Sequence, residues 1–188
     1  MNIFAILLSF FFLNSHPPLD ISYTKGYYYS NDGVRVQGLI KIKPSNYTSF
    51  KKKKTRILFK SDTDEVAHEV TLADMKGFVV EQDSFALVKN FKINHINGVF
   101  EEDFAKVLQT GKMNLYEHRS LIVDTYIFYE RDRYILSKDG NKFLGIWNAT
   151  KQREEISLLF ADNPELMNRV LDKEFDNKIP ELVVLYNR

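Results

Sequence analysis

Four histidines, at positions 16, 68, 95 and 118, stand among 25 carboxylates, and the first question is whether any set of them could hold a metal or move a proton. Metal sites draw on clustered ligands at characteristic spacings, and this chain has no H-E-x-x-H run and no cysteine. His68 shares a strand face with Val66 and Val70, and His118 follows Tyr116 at strand spacing. Both read as hydrogen-bonded sheet residues. Acidic groups recur at Asp62 to Glu65, Glu101 to Asp103 and Asp172 to Asp176, and none of these follows the ligand spacing of an EF-hand. Two carboxylates held about 5 to 10 Å apart would suit glycoside hydrolysis. Asp62, Asp64 and Glu130 are the candidates for that chemistry.

Nucleophile and phosphate motifs are missing. The chain has no G-x-S-x-G or S-x-x-K run, no thiol, and eight scattered glycines that form neither G-x-G-x-x-G nor G-x-x-x-x-G-K. The residues therefore point to no catalytic group, no metal site and no cofactor. Two features suit contact with a partner instead. Lys51, Lys52, Lys53 and Lys54, with Arg56, form the one local concentration of charge, placed to meet phosphate groups or an acidic partner. Tyr27, Tyr28 and Tyr29 alternate faces on a strand, and Tyr28 is the candidate for a ring that stacks on a sugar or packs on a protein.

The elements that carry these residues are mostly strands. Val34, Val36, Ile40 and Ile42 alternate with Arg35, Gln37, Leu39 and Lys41 after a turn at Asn31-Asp32-Gly33, which predicts a hairpin. Val66, His68, Val70 and Leu72 share a strand face, and a further hairpin is expected about Gln82-Asp83-Ser84. HINGVFEED reads as a long loop, and FAKVLQTGKMNLYEH as two strands joined at Thr110-Gly111, with a helical turn over 101–108 as the alternative. DTYIFYERD and RYILSKDGNKFLGIW each read as a strand pair, the second turning at Asp139-Gly140. From about residue 151 the period becomes helical. Asn163-Pro164 matches an N-cap with proline in the first turn, and Pro180 opens a last helix with Leu182, Val183 and Tyr186 facing inward. The expected fold is mainly β, with antiparallel hairpins forming a sandwich or a partly closed barrel, plus two or three short C-terminal helices, α+β overall.

The opening MNIFAILLSFFFLNSHPP bears on compartment. Residues 3–13 are apolar except Ser9, too short a run to span a bilayer as a helix, which takes about 20 residues, but of the length of a secretory signal core. We expect a signal peptide over residues 1–15, an untethered periplasmic or extracellular product, and one β-rich domain over 20–188 with no transmembrane span. An uncleaved anchor is the alternative. Without cysteine there is neither a lipid-modified anchor nor a disulfide, so stability rests on packing. With 26 basic and 25 acidic residues, net charge exerts no general pull toward nucleic acid.

The succession GYYYSNDGVRVQGLI, ILFK, ADMKGFVVEQDSF, FAKVLQTGKMNLYEH and ELVVLYN resembles an uncharacterised family of secreted bacterial envelope domains, some of which precede an outer-membrane β-barrel. This chain departs from the barrel-bearing form in stopping at Arg188. The resemblance carries no catalytic residues. The leader, the aromatic strands and the missing catalytic motifs together point to a non-enzymatic domain that binds an envelope protein or glycan. A carboxylate-dependent glycan hydrolase, or a carrier of a small hydrophobic ligand in a Phe- and Tyr-lined interior, are the alternatives. Oligomeric state is left open by these residues.

Overall fold

The computed structural model describes residues 22–47, 52–61, 63–92, 99–124 and 127–188. The expected signal peptide, His16, His95, Lys51 and Asp62 lie outside these residues. Among the described residues there are twelve strands followed by three helices, and no helix is long and apolar enough to cross a membrane.

The first hairpin forms as its turn chemistry requires. β1 (Thr24–Ser30) pairs antiparallel with β2 (Arg35–Lys43), and Gly33 takes the positive φ of 81° in the turn between them. Gly38 has a different role. A β-carbon there would lie 2.6 Å from the Phe59 ring, so its absence lets that ring pack across the strand. Beyond Pro44 the chain of β2 continues as β3 (Ser45–Tyr47), then β4 (Lys52–Lys53) and β5 (Arg56–Lys60), with β6 (His68–Val70) at the sheet margin.

β7 (Met75–Val80) and β8 (Asp83–Phe91) make the next hairpin, whose turn is Glu81-Gln82 rather than the expected Gln82 to Ser84. Glu81 supplies the left-handed residue at φ 55°, and its amide donates to the Lys25 carbonyl at 3.0 Å, which ties the turn to β1. β9 (Phe100–Gln109) then pairs with both β8 and β10 (Asn114–Asp124), so the hairpin at Thr110-Gly111 forms and the helical alternative does not. Phe100 to Asp103, expected in a loop, belong to β9.

One correction is larger. β11 (Ile127–Ser137) is a single strand paired with β10 along its whole length, where two strand pairs were expected from these residues. The charged run Glu130 to Arg133 continues the ladder, and Asp132 is paired across it. Arg119 faces Asp132 and donates to both its carboxylate oxygens, at 2.9 and 3.2 Å. Asp139-Gly140 does turn the chain, into β12 (Leu144–Ile146).

The sheet path runs β12-β11-β10-β9-β8-β7-β1-β2-β5-β6. It does not stay open. β3 pairs parallel with β10 through Ser120↔Ser45, Leu121↔Asn46 and Ile122↔Tyr47, so the strand that begins beside β1 ends beside β10. The sheet is thus curled into a partly closed barrel, its seam closed by three residue pairs. Inside the curl pack Ile40, Phe59, Met75, Phe78 and Phe104, with Phe78 stacked on Phe85 at 4.4 Å and edge-on to Phe104 at 5.4 Å.

The helices cover the β10–β12 end. α1 (Arg153–Leu158), α2 (Pro164–Leu171) and α3 (Ile179–Asn187) bury Ile156, Leu166, Val170, Leu182 and Val183 against Met113, Leu115, Leu136 and Ile146. Asn187 fastens the chain end by accepting from the Met113 amide and donating to its carbonyl, both at 2.9 Å. Asn163 caps α2 as its sequence indicates, accepting from the Leu166 amide at 3.1 Å. Asn163→Ala is expected to lower stability in urea unfolding by about 1 kcal/mol, and Asn163→Asp to restore most of it. Equal midpoints for all three proteins would show that the cap contributes nothing.

Candidate functional site

The lysine segment sits on the seam of the barrel, and the seam is built around a buried polar cluster. At Glu117↔Lys106 the pairing of β10 with β9 ends, and three residues further on β3 takes the vacated place beside β10. Into this fork project Asp103 of β9, His118 of β10 and Ser45 of β3, all completely buried. His118 Nε2 lies 2.9 Å from Asp103 Oδ2 and 3.3 Å from Ser45 Oγ. The other carboxylate oxygen, Asp103 Oδ1, accepts the backbone N–H groups of Thr55 and Phe104, each at 2.8 Å. Ser45 Oγ donates to the Arg119 carbonyl at 3.4 Å.

These three residue types are those of a serine hydrolase triad, yet the wiring differs. In a triad the imidazole uses one nitrogen toward serine and the other toward the carboxylate, so that a proton can be taken at one side while charge is held at the other. Here both partners meet Nε2, and Nδ1 has no hydrogen-bond partner among the described residues. The tautomer assigned by this network carries its proton on Nε2, donating to Asp103. The rings of Phe91 and Phe100 flank the imidazole edge-on, at centroid distances of 5.0 and 5.2 Å, and close it from solvent. The cluster is a latch. Through Thr55, and through His118 to Ser45, Asp103 fastens the two described parts of the lysine strap, β3 and the stretch 52–55 that carries Lys52, Lys53 and Lys54.

On the outer side of that strap lies an open groove of about 540 Å³, lined by Lys53, Lys54, Arg56, Glu69, Leu72 and Glu102 among others. Lys54 pairs with Glu102 at 3.0 Å and Arg56 with Glu69 at 2.7 Å. Lys52 lies over the Phe100 ring at 5.7 Å, while the exposed Lys53 makes no ion pair among the described residues. The structure thus gathers Lys53, Lys54 and Arg56 along one groove, with Lys52 beside them on Phe100. Tyr28 is elsewhere. Its half-buried ring meets Phe59 edge-on at 5.0 Å, inside the curl, and Tyr29 is the more exposed of the three tyrosines at 40%. Tyr27 lies under Arg35, 3.7 Å from its guanidinium carbon.

A second cavity, about 260 Å³, opens at the mouth of the curl, and Thr55 lines both. Its apolar lining is Ile42, Pro44, Phe85 and Phe104, and its charged lining is Asp83, Lys106, Glu117 and Arg119. Burial raises the Glu117 carboxyl, with Asp132 adding to this and Arg119 and Lys106 opposing it.

Asp64 is spent on its own turn: its carboxylate accepts from the Ser61 amide at 2.8 Å, and backbone and side-chain hydrogen bonds from Ser61 hold it below the ordinary carboxylate range. Glu130 is exposed on β11, opposite Leu121. Trp147 lies after β12, where its amide donates to Gln152 at 2.7 Å. His68 packs edge-on to Phe59 at the sheet margin, and β6 is shorter than expected, with Val66 before it and 80% exposed. No group of three His, Cys, Asp or Glu that could hold a metal occurs among the described residues.

Ser45 and Asp103 were not legible as site residues. A signal for Asp103 does exist, since strand alternation puts it on one face with Ala105 and Val107, an acidic group on an otherwise apolar face. The fold and site together define a curled, partly closed β-sheet domain with a helical cover and a latched basic strap. Comparison with protein-family models, with curated proteins and with solved structures gave no match.

Proposed function

We propose that the chain is an exported, non-enzymatic domain of the bacterial envelope that binds an acidic envelope component, protein or glycan, through the strap bearing Lys52, Lys53, Lys54 and Arg56. The observation that carries this reading is the attachment of both described parts of the strap to buried Asp103, directly through the Thr55 amide and through His118 to Ser45. A basic segment held on a rigid frame loses less conformational freedom on binding than a free loop does, which favours recognition over mere solvation. Lys54 and Arg56 are further oriented by Glu102 and Glu69, leaving Lys53 as the charge most available to a partner. The wiring of the latch supports the non-enzymatic half of the reading, because Ser45 and Asp103 both meet His118 Nε2 and the imidazole does not bridge them as it does in a triad. The apolar opening of the chain supports export, as does the resemblance to secreted envelope domains.

Two measurements test it. Intact mass of the protein from fractionated bacteria is expected to show a soluble exported species beginning near His16, and full-length protein confined to the cytosol would end the export reading. In pulldowns from envelope extracts, Lys53→Glu with Lys54→Glu is expected to weaken capture at least about tenfold, equal to about 1.4 kcal/mol. Wild-type capture is expected to fall as salt rises, since the contacts are exposed charges. Capture indifferent to both the charge reversal and the salt would remove the strap from the interface.

A further inference from the structure

The cavity at the mouth of the curl has a charge arrangement that selects its ligand. Five ionisable residues alternate in sign across four neighbouring strands: Asp83 on β8, Lys106 on β9, Glu117 and Arg119 on β10, and Asp132 on β11. Lys106 stands directly opposite Glu117 in the ladder, yet its ammonium is drawn to Asp83 at 2.7 Å. Arg119 is likewise drawn the other way, to both oxygens of Asp132. Each cation is therefore held by a carboxylate at the outer end of the row. Glu117, at its centre, is left half-buried with neither a hydrogen bond nor an ion pair among the described residues.

A half-buried carboxylate whose neighbours are otherwise engaged is under-solvated, and a cation that replaces the missing contact gains more there than at the open surface. Beside it Phe85, Phe104, Ile42 and Pro44 offer apolar surface in about 260 Å³, room for one ring or a short chain. We propose that this cavity binds a small organic ammonium, its charged head on Glu117 and its apolar body against Phe85 and Phe104. The row favours a cation over an anion because an anion would have to displace Asp83 or Asp132 before it could reach Lys106 or Arg119. The raised Glu117 carboxyl adds a direction to the pH dependence: binding takes the ionised form, so affinity falls as pH is lowered through its titration. The site is independent of the basic strap, whose partner is acidic.

The probes are 2-phenylethylammonium, its neutral analogue 2-phenylethanol and the anion 3-phenylpropionate, titrated into the full chain while amide resonances are followed by NMR. The ammonium is expected to give saturable shifts at Phe85, Phe104 and Glu117, with the alcohol at least about tenfold weaker and the anion without effect there. Glu117→Gln is expected to erase the difference between ammonium and alcohol. Asp83→Asn, which releases Lys106 to pair with Glu117, is expected to weaken the ammonium while Glu117 remains. Equal binding of alcohol and ammonium, preferred binding of the anion, shifts confined to other residues, or indifference to Glu117→Gln would each overturn the assignment. Because strap binding is read by envelope capture and this site by shifts at the cavity, failure of one leaves the other intact.

Discussion

Asp103→Ala is expected to lower the free energy of unfolding by about 3–5 kcal/mol in urea titration, the largest loss of any polar substitution in this chain. The substitution leaves three buried donors without acceptors: the amides of Thr55 and Phe104, and His118 Nε2–H. Each lost partner costs about 1–3 kcal/mol when water cannot replace it. Asp103→Asn is expected to cost less, because its carbonyl oxygen can still serve the two amides. Its NH₂ group would then face His118 Nε2, moving the imidazole proton to Nδ1, which has no acceptor among the described residues. Hydrogen exchange provides the local check. In Asp103→Asn the Thr55 amide and the β3 amides should lose protection while α3 keeps it. A cost below about 1 kcal/mol for Asp103→Ala, or protection lost uniformly, would mean that the seam is held by something other than this cluster.

Phe78→Ala should cost a comparable amount, about 3–5 kcal/mol, by a different route. Phe78 is 1% exposed and is the ring on which the interior turns, stacked against Phe85 and edge-on to Phe104. Its removal forfeits apolar burial and two aromatic contacts, each of about 0.5–1.5 kcal/mol, and leaves a void in a closed sheet that has little freedom to collapse. Phe78→Leu should recover more than half of the loss. Benzene should raise the melting temperature of Phe78→Ala more than that of the wild type, as expected for a dry apolar cavity. A loss near 1 kcal/mol with no benzene effect would show that the curl closes over the gap.

Both substitutions bear on function through rigidity. Loss of Asp103 frees both described parts of the strap, so envelope capture should weaken even at temperatures where the sheet stays folded. Loss of Phe78 disturbs Phe85 and Phe104, which line the mouth cavity, without touching the strap. The pair of variants therefore separates the two surfaces.

Much of the local structure was legible because its causes are local. Asn31-Asp32-Gly33 and Asp139-Gly140 turn the chain with glycine at positive φ, and Thr110-Gly111 turns it too, where a β-carbon would meet Asn187 at 2.7 Å. Asn163-Pro164 and Pro180 start helices because proline holds the helical φ in the first turn, where no amide partner is needed. Legibility failed within β11, where a break was expected between Asp132 and Arg133 and the ladder with β10 runs on. It failed again at Phe100 to Asp103, where acidic residues suggested a loop and Asp103 proved completely buried.

By itself the sequence determined a cysteine-free, β-rich chain with helices at its end, the location of most turns, and a basic segment followed by a short strand. Alternation of period 2 reports which face a side chain takes, but not which strand lies beside it. Tertiary structure alone decided that β7 meets β1, that β3 reaches β10, and that Ser45, Asp103 and His118 share one fork, although 73 residues separate Ser45 from His118. It also decided that Lys106 and Arg119 turn away from Glu117. The physical reason is that a buried polar group is tolerated only where distant segments supply its hydrogen bonds, and the curl of the whole sheet brings those segments within reach.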